Sequence, residues 1–577
     1  MKNQKVIQRP RRWDKPFSDK MSDKNIDQIL STPYFRQMDE ASFPRWLSLR
    51  DIIRNDCRVR RYRKSQLVLN AGAYINSAFL VLSGSASLVL APGIDPSAWG
   101  QVKEERASVF SAFKKLVVKN RFPEVRKIGA SVRNRLDRNT RRRGAITIKN
   151  LDALVQKAGA EVVGLNPGDL FGESAVLGRT EMTNTVVSNE KMQVLEIRWQ
   201  GLRDICKYAP SFNETVEQLY RERGLYEHLL SVPLFRHVTK EKIRALADVA
   251  QYEVYGEFAW QRKFQQASKK VETSDDYNQL IEAEPVVANA GDFADGLLLI
   301  RNGFARVSRR INHGHYTLGH LAAGSLFGLQ ELYDSWESGD AQRLRCSLGA
   351  LGYADVIRIP TQWIEQNVFA ADQNEAVQAE LNRQLDAMPG EKRKFDKPSA
   401  QVDRKLTEFL VENRFVNGTQ TMMIDLERCI RCDDCVSACA AAHDNNPKFV
   451  RHGPTFGRYL IANACMHCDD PVCMIGCPTG AIHRSENGTV SINDETCIGC
   501  SKCANSCPYD NIRMVPIRDE EGKLLTDEQA IPIVKATKCD MCNTSPGGPA
   551  CVRACSHDAL TRVDVKDVGE LAEWLDR

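Results

Sequence analysis

The sequence predicts a multidomain α+β protein: two β jelly rolls with flanking helices, then a cysteine-rich domain built to hold metal. Three observations carry that prediction. The chain has 577 residues, several times the roughly 100–200 that one domain holds. A pattern of short apolar runs broken by Gly turns occurs twice in the first two-thirds. Finally, 16 of the 19 cysteines fall between Cys429 and Cys555. A protein stapled by disulfides spreads its cysteines across its domains, whereas this one gathers them into one block.

Taken in order, residues 1–30 read as an N-terminal extension. Its Arg pair is followed by neither an apolar segment nor a small-residue cleavage site, so no export signal is expected. No apolar run reaches the roughly 20 residues a membrane helix needs. With a formal net charge of only +5, the chain reads as soluble and cytoplasmic. The first jelly roll is expected over 31–225, from "SQLVLNAGAYINSAFLVLSGSASLVL" and "AEVVGLNPGDLFGESAVL". The second is expected over 226–370, from "EPVVANAGDFADGLLLIRNGFARVSRR" and "YTLGHLAAGSLFGLQELY". Alternating strands with frequent Gly turns suit a small barrel or jelly roll, and the recurrence marks an internal duplication. Helical stretches flank each copy.

Insertions interrupt both copies, at 91–155 and 262–284. The first is basic: residues 101–145 carry 14 Lys/Arg against 4 Asp/Glu. It reads as a solvated excursion, with contact to an acidic partner or nucleic acid as the sharper alternative. Aromatic residues for base stacking are sparse there, so nucleic acid is not an expected partner. Residues 371–418 read as a linker, and 419–577 as the cysteine domain.

The cysteines form four groups of four. They are Cys429, Cys432, Cys435, Cys439; Cys465, Cys468, Cys473, Cys477; Cys497, Cys500, Cys503, Cys507; and Cys539, Cys542, Cys551, Cys555. Three thiolates spaced Cys-x2-Cys-x2-Cys wrap one iron–sulfur cubane, and a fourth Cys three residues on turns away toward another cluster. Zinc is the rival, but it takes two separated Cys-x2-Cys pairs and has no use for tight triplets. Disulfides do not suit a reducing compartment. Sixteen ligands at four per cluster imply four [4Fe–4S] clusters.

The block from Thr421 to Asp564 resembles the four-cluster iron–sulfur subunits of dimethyl sulfoxide reductases, formate dehydrogenases and some hydrogenases. The shared residues are His467 inside Cys-x-His-Cys, Asp470-Pro471 before Cys473, Cys-Pro at Cys477, and "KCDMC" with a downstream "GGPACVRAC". The resemblance implies two pseudo-symmetric ferredoxin-like halves. It also implies that each cluster takes three cysteines from one group and one from a distant group, the first group pairing with the fourth and the second with the third. His467 is expected to pack beside the metal rather than ligate it. Arg428, Arg431, Asp433 and Asp434 are expected to tune the first group's potential.

The two jelly rolls resemble cyclic nucleotide-binding domains of the catabolite-activator type, over Ser31 to Asn367. "AGAYINSAFLVLSG" and "AGDFADGLLLIRNG" carry the likeness, with "NPGDLFGESA" and "AAGSLFGLQE". In that family a Glu after Phe-Gly holds the ribose hydroxyl, and an Arg nine residues later pairs with the phosphate. Copy one keeps Gly172, Glu173 and Ala175 but has Met182 at the Arg position, with Arg179 three residues early. Copy two has Leu329 in place of the Glu, with Arg345 available after a longer loop. Losing one partner of such a pair costs roughly 2–5 kcal/mol, so cyclic nucleotide binding by the usual contacts is doubtful and a scaffolding role is expected. No recognition helix follows Asn367.

Together these features predict an electron-transfer subunit of a soluble oxidoreductase complex. Its expected partners are a flavoprotein or molybdenum-type enzyme and a soluble carrier, with no membrane span. The alternative is a ligand- or redox-responsive regulator that binds a nucleotide-like effector.

Overall fold

A computed structural model of the chain describes residues 4–90, 122–126, 161–219, 232–235, 238–256, 282–311, 314–370, 374–387, 413–443, 445–543 and 547–565, with isolated positions between them. It divides into two compact units. One joins residues 1–214 to 399–577, and the other is 215–398.

In the first unit, strand β1 (Gln4–Val6) opens the chain. Short helices follow, and the two longer ones, Asp23–Leu30 and Leu49–Asp56, are each started by a serine side chain. Ser22 accepts from Asn25 N and Ser48 from Asp51 N, which satisfies backbone donors a helix start leaves orphaned. Each helix turns its apolar positions inward, Ile26 and Ile29 in Asp23–Leu30 and Leu49, Ile52 and Ile53 in Leu49–Asp56. Eight strands then build two four-stranded sheets. They are β2 (Cys57–Tyr62), β3 (Leu67–Leu69), β4 (Ser77–Ser83), β5 (Ala86–Leu90), β6 (Glu161–Leu165), β7 (Leu170–Phe171), β8 (Thr185–Ser188) and β9 (Met192–Arg198). The sheet orders are β2-β9-β4-β7 and β3-β8-β5-β6, a jelly roll. Apolar side chains of β4 and β9 fill it, and Phe79 stacks on Phe171 at 5.3 Å. Helix Trp199–Tyr208 closes it, with Leu202 and Ile205 buried.

The second unit repeats the plan with fused strands. It holds β10 (Gln251–Gly256), β11 (Val286–Ala288), β12 (Gly296–Ile311), β13 (Gly314–Leu321), β14 (Leu326–Phe327) and β15 (Ser347–Pro360). The long β12 and β15 take the parts played by β4–β5 and β8–β9 in the first copy, in the order β10-β15-β12-β13. One turn shows the duplication at atomic scale. Gly84 (φ +78) and Gly303 (φ +81) hold equivalent positions, and a Cβ would lie 2.5 Å from Lys191 O in one and 2.3 Å from Tyr353 O in the other. Only glycine fits either place.

The cysteine domain belongs to the first unit. Its main sheet runs β17-β18-β16-β24, made of β16 (Thr421–Asp425), β17 (Thr455–Phe456), β18 (Tyr459–Ile461) and, at the far end of the chain, β24 (Leu560–Val563). Three further pairs complete it. β19 (Ile482–Arg484) pairs with β20 (Val490–Ile492), and β21 (Arg513–Pro516) with β23 (Val534–Thr537); β22 (Leu524–Thr526) takes β1 as a parallel neighbour.

The structure adds detail to two of the expected segments. Residues 371–418 are more than a linker: Asn374–Ala387 is a helix with Val377 and Leu381 buried at i and i+4, and Leu406, Leu410 and Phe415 sit in the core of the cysteine domain. The N-terminal extension is no loose tail. Beyond β1, Arg9 pairs with Asp527 at 2.9 Å and Arg12 with Asp56 and Asp204 at 2.7 and 2.8 Å. The basic insertion lies mostly outside the described residues. Its stretch 122–126 is anchored to the cysteine domain, where Arg126 N donates to Arg518 O (2.9 Å) and the Arg126 side chain pairs with Asp494. Of the second insertion, Glu284 is buried and paired with Arg306 at 3.0 Å, while 262–281 lie outside the described residues.

Candidate metal centre

The thiols are brought together by turns that wind the backbone left-handed. In the first group Arg431 (φ 62) and Asp433 (φ 64) flank Cys432, and in the third Gly499 (φ 70) and Ser501 (φ 60) flank Cys500. Each turn runs into a helix. Asp434–Ala442 carries Cys435 and Cys439 one turn apart, and Lys502–Ser506 carries Cys503 and ends at Cys507. The two halves therefore repeat one local geometry, as expected of a double ferredoxin-like fold.

Four sets of thiols result. Cys429, Cys432, Cys435 and Cys555 line one cavity, together with Ile424, Ile430 and Leu560. Cys477, Cys497, Cys500 and Cys503 line another, walled by Ile482, Ile492 and Met514. Cys468 and Cys473 face Cys465 and Cys507, and Cys551 faces Cys439, Cys539 and Cys542. In each set three cysteines come from one group and one from a distant group. Helix Ala550–Arg553 packs on Asp434–Ala442, and the turn Val472–Met474 packs on Lys502–Ser506. The first group thus meets the fourth, and the second meets the third.

The chemistry of these sets fits a metal cluster. All 19 cysteines of the chain are unbridged. Burial pushes the Cys468 and Cys473 thiols well up, with neighbouring thiols adding to the shift. Burial first, then Cys477, Cys497 and Cys500, pushes Cys503 up to about 12. Thiolates crowded into an apolar wall need a positive centre among them. Donors already point at the sulfurs. Lys448 N lies 3.2 Å from Cys439 Sγ and Ala559 N 3.3 Å from Cys555 Sγ. Lys538 Nζ lies 3.1 Å from Cys465 Sγ, and Arg562 Nη2 3.1 Å from Cys539 Sγ. Such bonds set cluster potentials.

Lys538, quoted from the sequence only within "KCDMC", and Arg562 were given no role there. Lys538 is buried at 4% exposure between two thiol sets and also donates to Val490 O and Cys539 O. The only signal was its place directly before Cys539. His443 was missed too. Its Nε2 meets Asp540 Oδ1 at 3.0 Å and its Nδ1 meets Cys439 O at 2.7 Å. Burial works against its charge, but Asp540 and the Cys439 and Cys542 thiols raise it to about 12. His467, singled out from the sequence, is 3% exposed, and its Nδ1 accepts from Val490 N at 3.1 Å. Of the other flanking charges, Asp433 pairs with Arg451 at 2.8 Å and Arg428 with Asp425 at 3.9 Å.

The jelly-roll candidates do not converge. Gly172 (φ +79) starts helix Glu173–Gly178, and Glu173 and Ala175 are buried at 3% and 6% exposure. Met182 is buried too, its backbone paired with Gly72 and Ala73. Arg179 leaves the jelly roll altogether and holds Asp470 of the cysteine domain at 2.6 Å. In the second copy Leu329 is fully buried where the Glu was sought. Arg345 is half-exposed and is held by Asp334, its backbone N–H donating to Glu331.

Comparison with known proteins points to the cysteine domain. Residues 457–565 match the 4Fe-4S dicluster domain family. The electron transport protein HydN of Escherichia coli K12 is 34% identical over 172 residues, covering 28% of this chain and 93% of that protein. The thiosulfate reductase electron transfer subunit PhsB of Salmonella typhi is 30% identical, covering 27% of this chain and 80% of that one. The arsenate respiratory reductase iron-sulfur subunit ArrB of Shewanella sp. ANA-3 is 39% identical over 97 residues, covering 15% and 42%. Among solved structures, the regulatory domain of Toxoplasma gondii PKA with cAMP is 13% identical, covering 63% of this chain and 98% of that chain, with a TM-score of 0.21. A cyclic nucleotide-binding-like protein from Brucella abortus is 19% identical, covering 25% and 96%, with a TM-score of 0.18. Among the described residues, no helix is long and apolar enough to cross a membrane.

Proposed function

The chain belongs to the family of 4Fe–4S electron-transport proteins that includes HydN, and from that premise we propose that it relays single electrons through four [4Fe–4S] clusters. It serves as the electron-transfer subunit of an oxidoreductase complex, between a flavoprotein or molybdenum-type enzyme and a soluble carrier. The observation that carries this reading is the exchange of one cysteine between paired groups, seen in both cavities. Cys555 completes the first triplet and Cys477 completes the third. The ligand sets are then Cys429, Cys432, Cys435, Cys555; Cys465, Cys468, Cys473, Cys507; Cys477, Cys497, Cys500, Cys503; and Cys439, Cys539, Cys542, Cys551.

Each cluster, when bound, supplies a one-electron couple. The protein's own residues do the rest. Ile424, Leu560, Ile482 and Ile492 wall the cavities against water. Lys538 and Arg562 hold positive charge against the two inner sets, where an added electron must be accommodated. Cys432 and Cys500 are the exposed cysteines of the four sets, one in each of two of them. Those two sets therefore serve as the ends of the relay. Ile430, 62% exposed beside Cys432, suits contact with a partner at one end.

The jelly rolls scaffold and dock this relay. The arginine considered for the cradle in each copy is already engaged by carboxylates, Arg179 by Asp470 and Arg345 by Asp334.

Iron and sulfide analysis of anaerobically purified protein tests the reading. About sixteen irons per chain are expected, with broad visible absorption that bleaches on reduction. Cys555→Ser and Cys477→Ser should each remove about one quarter of the iron. An iron content near zero would overturn it.

A further inference from the structure

The first jelly roll offers its ligand-side turns to the cysteine domain. Arg179, at the end of helix Glu173–Gly178, is buried at 7% side-chain exposure. Its Nε and Nη2 donate to one oxygen of Asp470, at 2.9 and 2.6 Å. Asp470 lies in the loop between Cys468 and Cys473. Its backbone is held at the same time by Asn417, whose Oδ1 accepts from Asp470 N (3.0 Å) and whose Nδ2 donates to Asp470 O (3.3 Å).

Arg484 closes the grip from the other side. Its Nη1 donates to Arg179 O (3.2 Å), and its Nη2 to Asp469 O (2.8 Å) and to Cys468 O. Its guanidinium lies 4.3 Å over the ring of Tyr74. Asn76, two residues on, exchanges hydrogen bonds with the Arg484 backbone, donating to its O at 2.7 Å and accepting from its N at 3.3 Å. Tyr74 and Asn76 belong to "AGAYINSAF", and Arg179 to "FGESAVLGRT". Both stretches carry the likeness to a nucleotide-binding jelly roll, and the second is where a ligand was sought from the sequence. Further along, Arg203 donates to Ile475 O (2.8 Å) and Arg198 to Thr479 O (3.1 Å). The stretch 468–484, carrying Cys468, Cys473 and Cys477, is therefore held by the jelly roll along its length.

We propose that the first jelly roll is a built-in clamp on the relay: Asp470 occupies Arg179 as an internal anion, and Arg179 and Arg484 together position the Cys468–Cys473 loop and set the potential of the cluster held by Cys465, Cys468, Cys473 and Cys507. Charge fixes the direction of the effect. Adding an electron to a cluster adds negative charge, and a bare carboxylate nearby opposes that addition. Arg179 neutralises the Asp470 carboxylate, and the guanidinium of Arg484 lies against the Cys468 carbonyl. Both favour the reduced state. The site is shielded, so the influence exceeds that of a surface ion pair. The clamp holds the loop that carries two ligands of one cluster, so its effect is local to that cluster.

The inference rests on the four-cluster reading, and its test separates the two. Full-length protein is loaded with iron and titrated electrochemically, each cluster being followed by its paramagnetic resonance signal. In Arg179→Gln one midpoint should move to more negative potential while the other three stay. Arg179→Gln with Asp470→Asn, which removes both charges, should bring it back toward the wild-type value. Arg179→Lys, which keeps the charge but loses the fork, should shift it less. Amide exchange of residues 467–473 should quicken in Arg179→Gln. Full iron content with four unmoved midpoints would overturn the clamp. A wild-type chain without iron would instead overturn the four-cluster reading.

Discussion

At the scale of single residues, the gathering of the cysteines into sets was legible because thiols that meet in space and lie close in sequence leave a spacing that few other arrangements need. Lys538 was not, since a lysine in a string of letters gives no sign that it is buried. Its ammonium sits between Cys465 and Cys539 and satisfies two carbonyls as well. Lys538→Met should therefore cost about 1–3 kcal/mol, from carbonyls left without a donor, measured by urea unfolding. It should also move the nearest cluster's midpoint negative in a redox titration. His483 offers a prediction in pH. Burial holds its imidazole below the ordinary value; the Ala481 carbonyl opposes the shift and Lys538 adds to it. As the pH falls, the unfolded chain takes up a proton before the folded one does. The stability due to the neutral ring is thus complete above about pH 6.5 and declines below it. Urea midpoints measured from pH 7.5 to 5.5 should fall less steeply in His483→Gln than in the wild type.

Among elements, the duplicated jelly roll was readable from alternating apolar strands and their Gly turns, and Gly84 and Gly303 explain why those letters recur. The fusion of strands into β12 and β15 was not readable, because a strand that crosses from one sheet to the next changes no local pattern. Helix Asn374–Ala387 went unseen behind the charged, Pro-containing stretch that follows it. The cysteine turns carry the sharpest test at this scale. Gly499 and Arg431 occupy matching places in "CIGC" and "CIRC", and both have positive φ. A Cβ at Gly499 would stand 2.0 Å from Val534 O, so Gly499→Ala must displace the turn. It should cost more than about 1 kcal/mol and lower iron by about a quarter, read by iron analysis of the purified chain. Arg431→Gly should keep its iron, because that turn already accepts a side chain.

For the molecule as a whole, the sequence divided what the structure joins. It set a second jelly roll and a linker between the first jelly roll and the cysteine domain, yet residues 1–214 and 399–577 form one compact unit. Arg179 and Asp470 are 291 positions apart, and a contact at that distance leaves no periodicity to find. The N-terminal residues complete the unit by running from β22 to Asp56. Along the way Arg12 reaches Asp56, which also receives Arg198 and is fully buried. A chain lacking residues 1–12 should be less stable by about 3 kcal/mol, the cost of breaking a buried pair. Its residues 524–526 should exchange their amide hydrogens faster, as hydrogen exchange with mass spectrometry would show. The strap also dictates an order of events at the ribosome. Arg9 must wait for Asp527, 518 positions later, and at about 5–20 residues per second that wait lasts roughly half a minute to two minutes. Through that interval the first strand has no neighbour to pair with, because β22 begins only at Leu524. The two thiol sets that take Cys551 and Cys555 are likewise completed only near the end of the chain, and the earliest residues to be synthesised are among the last to find their place.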